Sequence, residues 1–116
     1  MKFYAFAGVF LAFVCMMSCN SNTITANLKT DTFKVWGNCG MCKKTIEKSL
    51  KIDGIATANW DKDSKMITVA YDSILVSLPQ IQQNIAAAGY DTESTKGDDG
   101  AYANLHSCCQ YERKSE

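Results

Sequence analysis

The chain has 116 residues, room for one domain, and its 12 basic side chains are matched by 12 acidic ones. Nothing in that balance suggests the basic surplus, clustered on one face, that a nucleic-acid-binding surface needs, so composition points to no nucleic-acid partner. Six cysteines in so short a chain would suit a disulfide framework, but they fall in three separate pairs. These are Cys15 with Cys19, Cys39 with Cys42, and Cys108 with Cys109, and each needs its own explanation.

Met1 and Lys2 precede an uncharged apolar run over residues 3–17, the length of a signal-peptide core and short for a membrane span of roughly 20 residues. The run ends in Met16-Met17-Ser18-Cys19, a small residue directly before a cysteine, and a polar stretch follows. This resembles the lipobox of bacterial lipoproteins, in which the cysteine becomes the lipidated first residue of the mature chain. Met16 stands where such signals usually carry leucine. The resemblance implies a signal peptide over 1–18, lipidation at Cys19, a linker over 19–28, and an exported, membrane-anchored lipoprotein in the periplasm or at the cell surface. Cleavage nearby without lipidation is the alternative.

Next comes a strand over 31–36, where Phe33 and Val35 alternate with more polar neighbours. It runs into a loop, Gly37-Asn38-Cys39-Gly40. Helical spacing begins after Met41: Ile46 and Leu50 lie four apart, with Lys43, Lys44, Glu47, Lys48 and Lys51 on the other faces. Gly54 supplies a stop in the left-handed conformation. A strand over 56–60, a turn over 61–64 and a β-branched, aromatic strand over 65–71 form an antiparallel hairpin. Pro79 suits the first turn of a second helix capped by Ser77, with Ile81, Ile85 and Ala88 at helical spacing until Gly89 closes it. A short strand over 90–94 completes the set, and the polar stretch after it ends a domain over 29–95, leaving a tail over 96–116. Strand, helix, strand, strand, helix, strand is the α+β, ferredoxin-like βαββαβ sandwich, with two helices on one face of a four-stranded antiparallel sheet.

The chemistry falls on the first loop. A Cys-x-x-Cys pair between a strand and a helix puts both sulfurs near the helix N-terminus, where free N–H groups and the macrodipole favour thiolate, the metal-binding form. Lys43 and Lys44 follow directly, either adding positive charge to the sulfurs or standing in solvent. Two thiolates on a surface loop outside the core suit a soft cation that accepts few ligands; Cu(I) leads, with Ag(I), Hg(II) and Zn(II) as alternatives, and a closed zinc site would want four ligands.

The segment carrying Gly37-Asn38-Cys39-Gly40-Met41-Cys42, Ile46-Glu47-Lys48-Ser49-Leu50, Ile52-Asp53-Gly54-Ile55 and Ile85-Ala86-Ala87-Ala88-Gly89-Tyr90-Asp91 resembles the heavy-metal-associated domain. Copper chaperones, mercury-binding periplasmic proteins and the N-terminal modules of metal-pumping P-type ATPases carry this domain. The resemblance implies a ferredoxin-like fold that binds one soft metal ion through Cys39 and Cys42, with a metal-transporting ATPase or another metal-binding protein as exchange partner. The family usually has methionine two positions before its first cysteine; here Gly37 stands there, so the support beneath the loop is missing or replaced. Met41, between the cysteines, either turns inward or remains a loop residue.

In the tail, His106, Cys108 and Cys109 put one imidazole and two thiols within four residues. They suit metal ligation, and equally a vicinal disulfide or a bridge to another chain. The tail is long enough to return to the first loop, with Tyr102, Leu105 and Tyr111 as apolar contacts for docking. No catalytic constellation is evident, which favours metal binding, for scavenging, buffering or transfer outside the cytoplasm, over an enzyme. The rivals are a thiol-disulfide oxidoreductase, against which the only proline, Pro79, falls at a helix start, and a structural domain with Cys39 and Cys42 locked as a disulfide.

Overall fold

The computed structural model describes residues 27–115; the apolar N-terminal run and Cys19 lie outside the described residues. The strands β1 (Leu28–Lys34), β2 (Ile55–Trp60) and β3 (Met66–Asp72) and the helices α1 (Gly40–Ser49) and α2 (Leu78–Ala87) follow in the expected order. β3 lies in the centre, antiparallel to β1 on one side and to β2 on the other.

Alternation decides which face of the sheet is covered. On β3, Ile67, Val69 and Tyr71 are buried, and Thr68 between them faces solvent, its hydroxyl 3.2 Å from that of Thr32 on β1. Ile46 and Leu50 of the α1 segment and Ile81 and Ile85 of α2 close over the buried face, all at 1 % exposure or less. Each such side chain contributes roughly 1.5–3 kcal/mol from burial, so this one layer drives the fold. α2 begins at Ser77, whose hydroxyl accepts from the N–H of Gln80 while the Gln80 side chain returns to the N–H of Ser77. Pro79 occupies the first turn, where a missing N–H costs nothing. Gly54 and Gly89 close the two helical segments at φ +93 and +100.

Among the described residues the sheet has three strands where four were expected. The segment over 90–94 meets the end of β1 through one bridge, Val35 with Thr92, flanked by N–H bonds from Trp36 to the Asp91 carbonyl (2.9 Å) and from Glu93 to that of Lys34 (3.1 Å). The pairing stops because Thr92 turns back on itself: its N–H donates to the Thr95 carbonyl at 2.8 Å, and its hydroxyl accepts the Thr95 N–H at 3.0 Å.

The tail packs on the core. A short helix α3 (Asp99–Ala103), capped by the Asp98 carboxylate, leads to a 3₁₀ turn at Ser107–Cys109. Tyr111 is 2 % exposed: its ring stacks on Tyr90 at 5.5 Å, and its hydroxyl donates to the Gly89 carbonyl and accepts the Asp91 N–H, both at 2.8 Å. Tyr102 meets the Tyr111 ring edge-on, and Leu105 lies half-buried against the core, so all three expected contacts are made. Asp91, itself 1 % exposed, accepts from Arg113 at 2.7 Å, from the Gly97 N–H at 2.7 Å and from the Lys114 N–H at 3.0 Å.

Burial alone would raise the Asp91 carboxyl, but Arg113 and the N–H groups of Gly97 and Lys114 overbalance it and hold the group below its ordinary 3.8. The unfolded chain therefore binds more protons in that window, and the stabilisation, complete above about pH 4, is lost as pH falls through the folded value. Asp91→Ala, which strands two backbone N–H groups, should cost about 2–4 kcal/mol at pH 7. Thermal melts of both proteins between pH 7 and pH 2 should show the difference shrinking in acid.

Candidate metal centre

Cys39 ends the loop as the N-cap of α1, with extended backbone (φ −142, ψ −177); its sulfur makes no capping hydrogen bond but stands by the open N–H groups of the first turn. The N–H groups of Cys42 and Met41, in that order, lower its thiol to about 7, which leaves a large thiolate fraction at neutral pH. Cys42, one turn on, is fully buried, and its sulfur accepts the Asn38 N–H at 3.3 Å. The expectation that both cysteines stand outside the core is corrected at Cys42: it lies one helical turn into α1, on the face that carries Ile46, and belongs to the core cluster.

The loop is supported by Trp60, which the sequence reading did not foresee. Its buried indole N–H donates to the Val35 carbonyl at 3.0 Å, and a side-chain carbon built at Gly37 would lie 2.9 Å from the six-membered ring. The indole fills the space beneath the loop, so Gly37 is required there and the family's methionine has no room. Lys43 serves neither role first considered for it: its ammonium donates to Glu47 at 2.6 Å, to the Asn59 side chain at 2.6 Å and to the Trp60 carbonyl at 2.8 Å, tying α1 to the end of β2. Lys44 is exposed.

The tail brings two more thiols to the loop. The carbonyl of Cys108 accepts the Asn38 side-chain amide at 3.3 Å and the Cys39 thiol at 3.6 Å, and the Cys108 sulfur lies 3.5 Å from the Met41 sulfur. Met41 thus remains 46 % exposed but turns toward the tail. Cys109 is buried, and burial, followed by the neighbouring Cys42 and Cys108, pushes its thiol up to about 12. The sulfurs of Cys39, Cys108 and Cys109 lie within 4.8 Å of one another. Cys42 sits beneath, in contact with Cys39 and Cys109, and all four thiols are free. His106 is exposed and its imidazole lies outside this group; its carbonyl caps the 3₁₀ turn by accepting the Cys109 N–H at 2.7 Å. The buried Tyr90 hydroxyl lies beside Cys42, Thr45 and Cys109 and makes no well-formed hydrogen bond among the described residues.

The paired thiols thus sit on a strand-to-helix loop of an antiparallel α+β sandwich. The heavy-metal-associated domain profile matches residues 32–91, just over half of the 116 residues, and the chain belongs to that family. It is 32% identical over 68 residues to the copper chaperone CopZ of Staphylococcus saprophyticus, covering 57% of this chain and all of that one. It is 40% identical over 76 residues to a zinc-transporting ATPase of Synechocystis, covering 64% of this chain but only 10% of the ATPase. Among solved structures, a CopZ metallochaperone superposes with TM-score 0.54 at 32% identity, over 55% of this chain and 98% of its own. Oxidised MerP of Ralstonia metallidurans superposes with TM-score 0.54 at 25% identity, over 57% and 94%. The tail thiols lie outside the residues the family profile matches.

Two outcomes follow from this geometry. Alkylation of the metal-free, reduced protein should reach Cys39 with a pH midpoint near 7 and leave Cys109 unmodified until well into the alkaline range, read by peptide mass spectrometry. Gly37→Ala should destabilise by about 1–3 kcal/mol, because the added methyl overpacks against an indole that cannot retreat; denaturant melts measure it.

Proposed function

We propose that this protein captures Cu(I) through Cys39 and Cys42, outside the cytoplasm and tethered by a lipid on Cys19, and passes it by thiolate exchange to a metal-transporting ATPase or another metal-binding protein. The single observation that carries the reading is the pairing of Cys39 with Cys42 at the α1 N-terminus, within the segment that the heavy-metal-associated domain profile matches. Soft thiolates select soft cations, and the relation to copper chaperones favours Cu(I) among them. The relation to a zinc-transporting ATPase keeps Zn(II) as the competing cargo, with Ag(I) and Hg(II) behind it. The protein works as a binding module and not as a catalyst.

Competition with a chelator, run with Cu(I) and with Zn(II) on the reduced full-length protein, tests this. Replacing both Cys39 and Cys42 by serine should weaken Cu(I) binding by several orders of magnitude, because hydroxyls are poor ligands for soft ions. Circular dichroism controls for the buried hydroxyl that Cys42→Ser adds. Tighter binding of Zn(II) than of Cu(I), each relative to the same competitor, would contradict the choice of metal. For the anchor, mass spectrometry of the membrane fraction should find a mature chain that starts at an acylated Cys19; an unmodified soluble species that starts elsewhere would contradict it.

A further inference from the structure

We propose that Cys108 and Cys109 join Cys39 in a closed three-thiolate site for a single thiophilic cation, so that the tail retains the metal and must lift before the ion can leave. The proposal rests on the loop reading above and adds what the tail does to the same ion.

The spacing of the sulfurs is the first support. With metal–sulfur bonds of about 2.3 Å, two thiolates in a line stand about 4.6 Å apart, and three in a trigonal plane about 4.0 Å. The Cys108 and Cys109 sulfurs are 3.9 Å apart, and all three lie within 4.8 Å of one another. Sulfurs this close can all reach one centre placed among them. Cys42, buried beside Cys39 and Cys109, is the loop's second thiol and lies outside this mutually close set of three.

The second support is that the thiols are held there by groups that are not thiols. Tyr111, two residues beyond Cys109, is locked between Gly89, Asp91 and the Tyr90 ring, and Arg113 pairs with Asp91. On the loop side the Asn38 amide holds the Cys108 carbonyl. The tail is therefore an ordered cover held by contacts that need no metal, and the two donors it brings in this way cost the ion no chain ordering. An ion held by one more thiolate, beneath a cover, exchanges more slowly with an outside acceptor than one on an open pair. The tail thus gives the protein a holding function, and opening of the tail would set the rate of release.

The test uses the full-length reduced protein loaded with one equivalent of Cu(I), as wild type, Cys108→Ser, Cys108→Ser with Cys109→Ser, and Cys39→Ser with Cys42→Ser. X-ray absorption should count one sulfur fewer in Cys108→Ser than in wild type, and transfer to a Cu(I) chelator should quicken about tenfold or more. Cys108 is exposed, so its single variant carries the test even where Cys109→Ser loosens the packing of the tail. An unchanged sulfur count and release rate in both tail variants, with binding still abolished in the loop variant, would overturn the closed site and leave the loop reading standing. Binding that survives in the loop variant but not in the tail variants would overturn the loop reading, and the shared site with it.

Discussion

The buried carboxylate of Asp91 is the point at which the parts of this molecule meet. The backbone carbonyl of Asp91 takes the N–H of Trp36 at the start of the thiol loop, its N–H meets the Tyr111 hydroxyl, and its side chain collects Gly97, Arg113 and Lys114. A desolvated charge is tolerable only when its hydrogen bonds are complete, so the site demands that the tail be present and in register. One residue at the edge of the family domain thereby couples the end of β1, which launches the thiol loop, to the segment that returns two further thiols to it.

That coupling changes what a two-cysteine loop can be. On an open loop the same pair would be a transfer site alone, exposed to oxidants as well as to acceptors. Here the helix N-terminus keeps Cys39 reactive, burial keeps Cys42 and Cys109 protected, and Cys108 lies at the surface. Reactivity and protection are divided among neighbouring thiols by position: a helix end lowers one, and a dry core raises another. Both binding and holding are compatible with a single ion moving among adjacent sulfurs.

Much of the fold could be read from residue order because the signals were local. Ile46 and Leu50 marked α1, Ser77 and Pro79 marked the start of α2, and the alternation in Ile67-Thr68-Val69 marked the central strand. The Cys-x-x-Cys spacing gave the loop, and the tail aromatics gave its docking contacts. What could not be read depended on pairs far apart in the chain. Nothing local ties Asp91 to Arg113, 22 residues later, or sets Trp60 beneath Gly37. The absent methionine at position 37 was the visible trace of that second pair, since a gap at a supporting position calls for a bulky replacement elsewhere. The short pairing of the 90–94 segment was equally hidden, because it follows from the Thr92–Thr95 turn and not from strand propensity.

Peptide-resolved alkylation of the reduced full-length protein, with and without one equivalent of Cu(I), tests the central claim most directly. Cys108 is exposed among the described residues. The account predicts that one Cu(I) protects Cys108 together with Cys39. Protection of Cys39 while Cys108 reacts at its metal-free rate would contradict it.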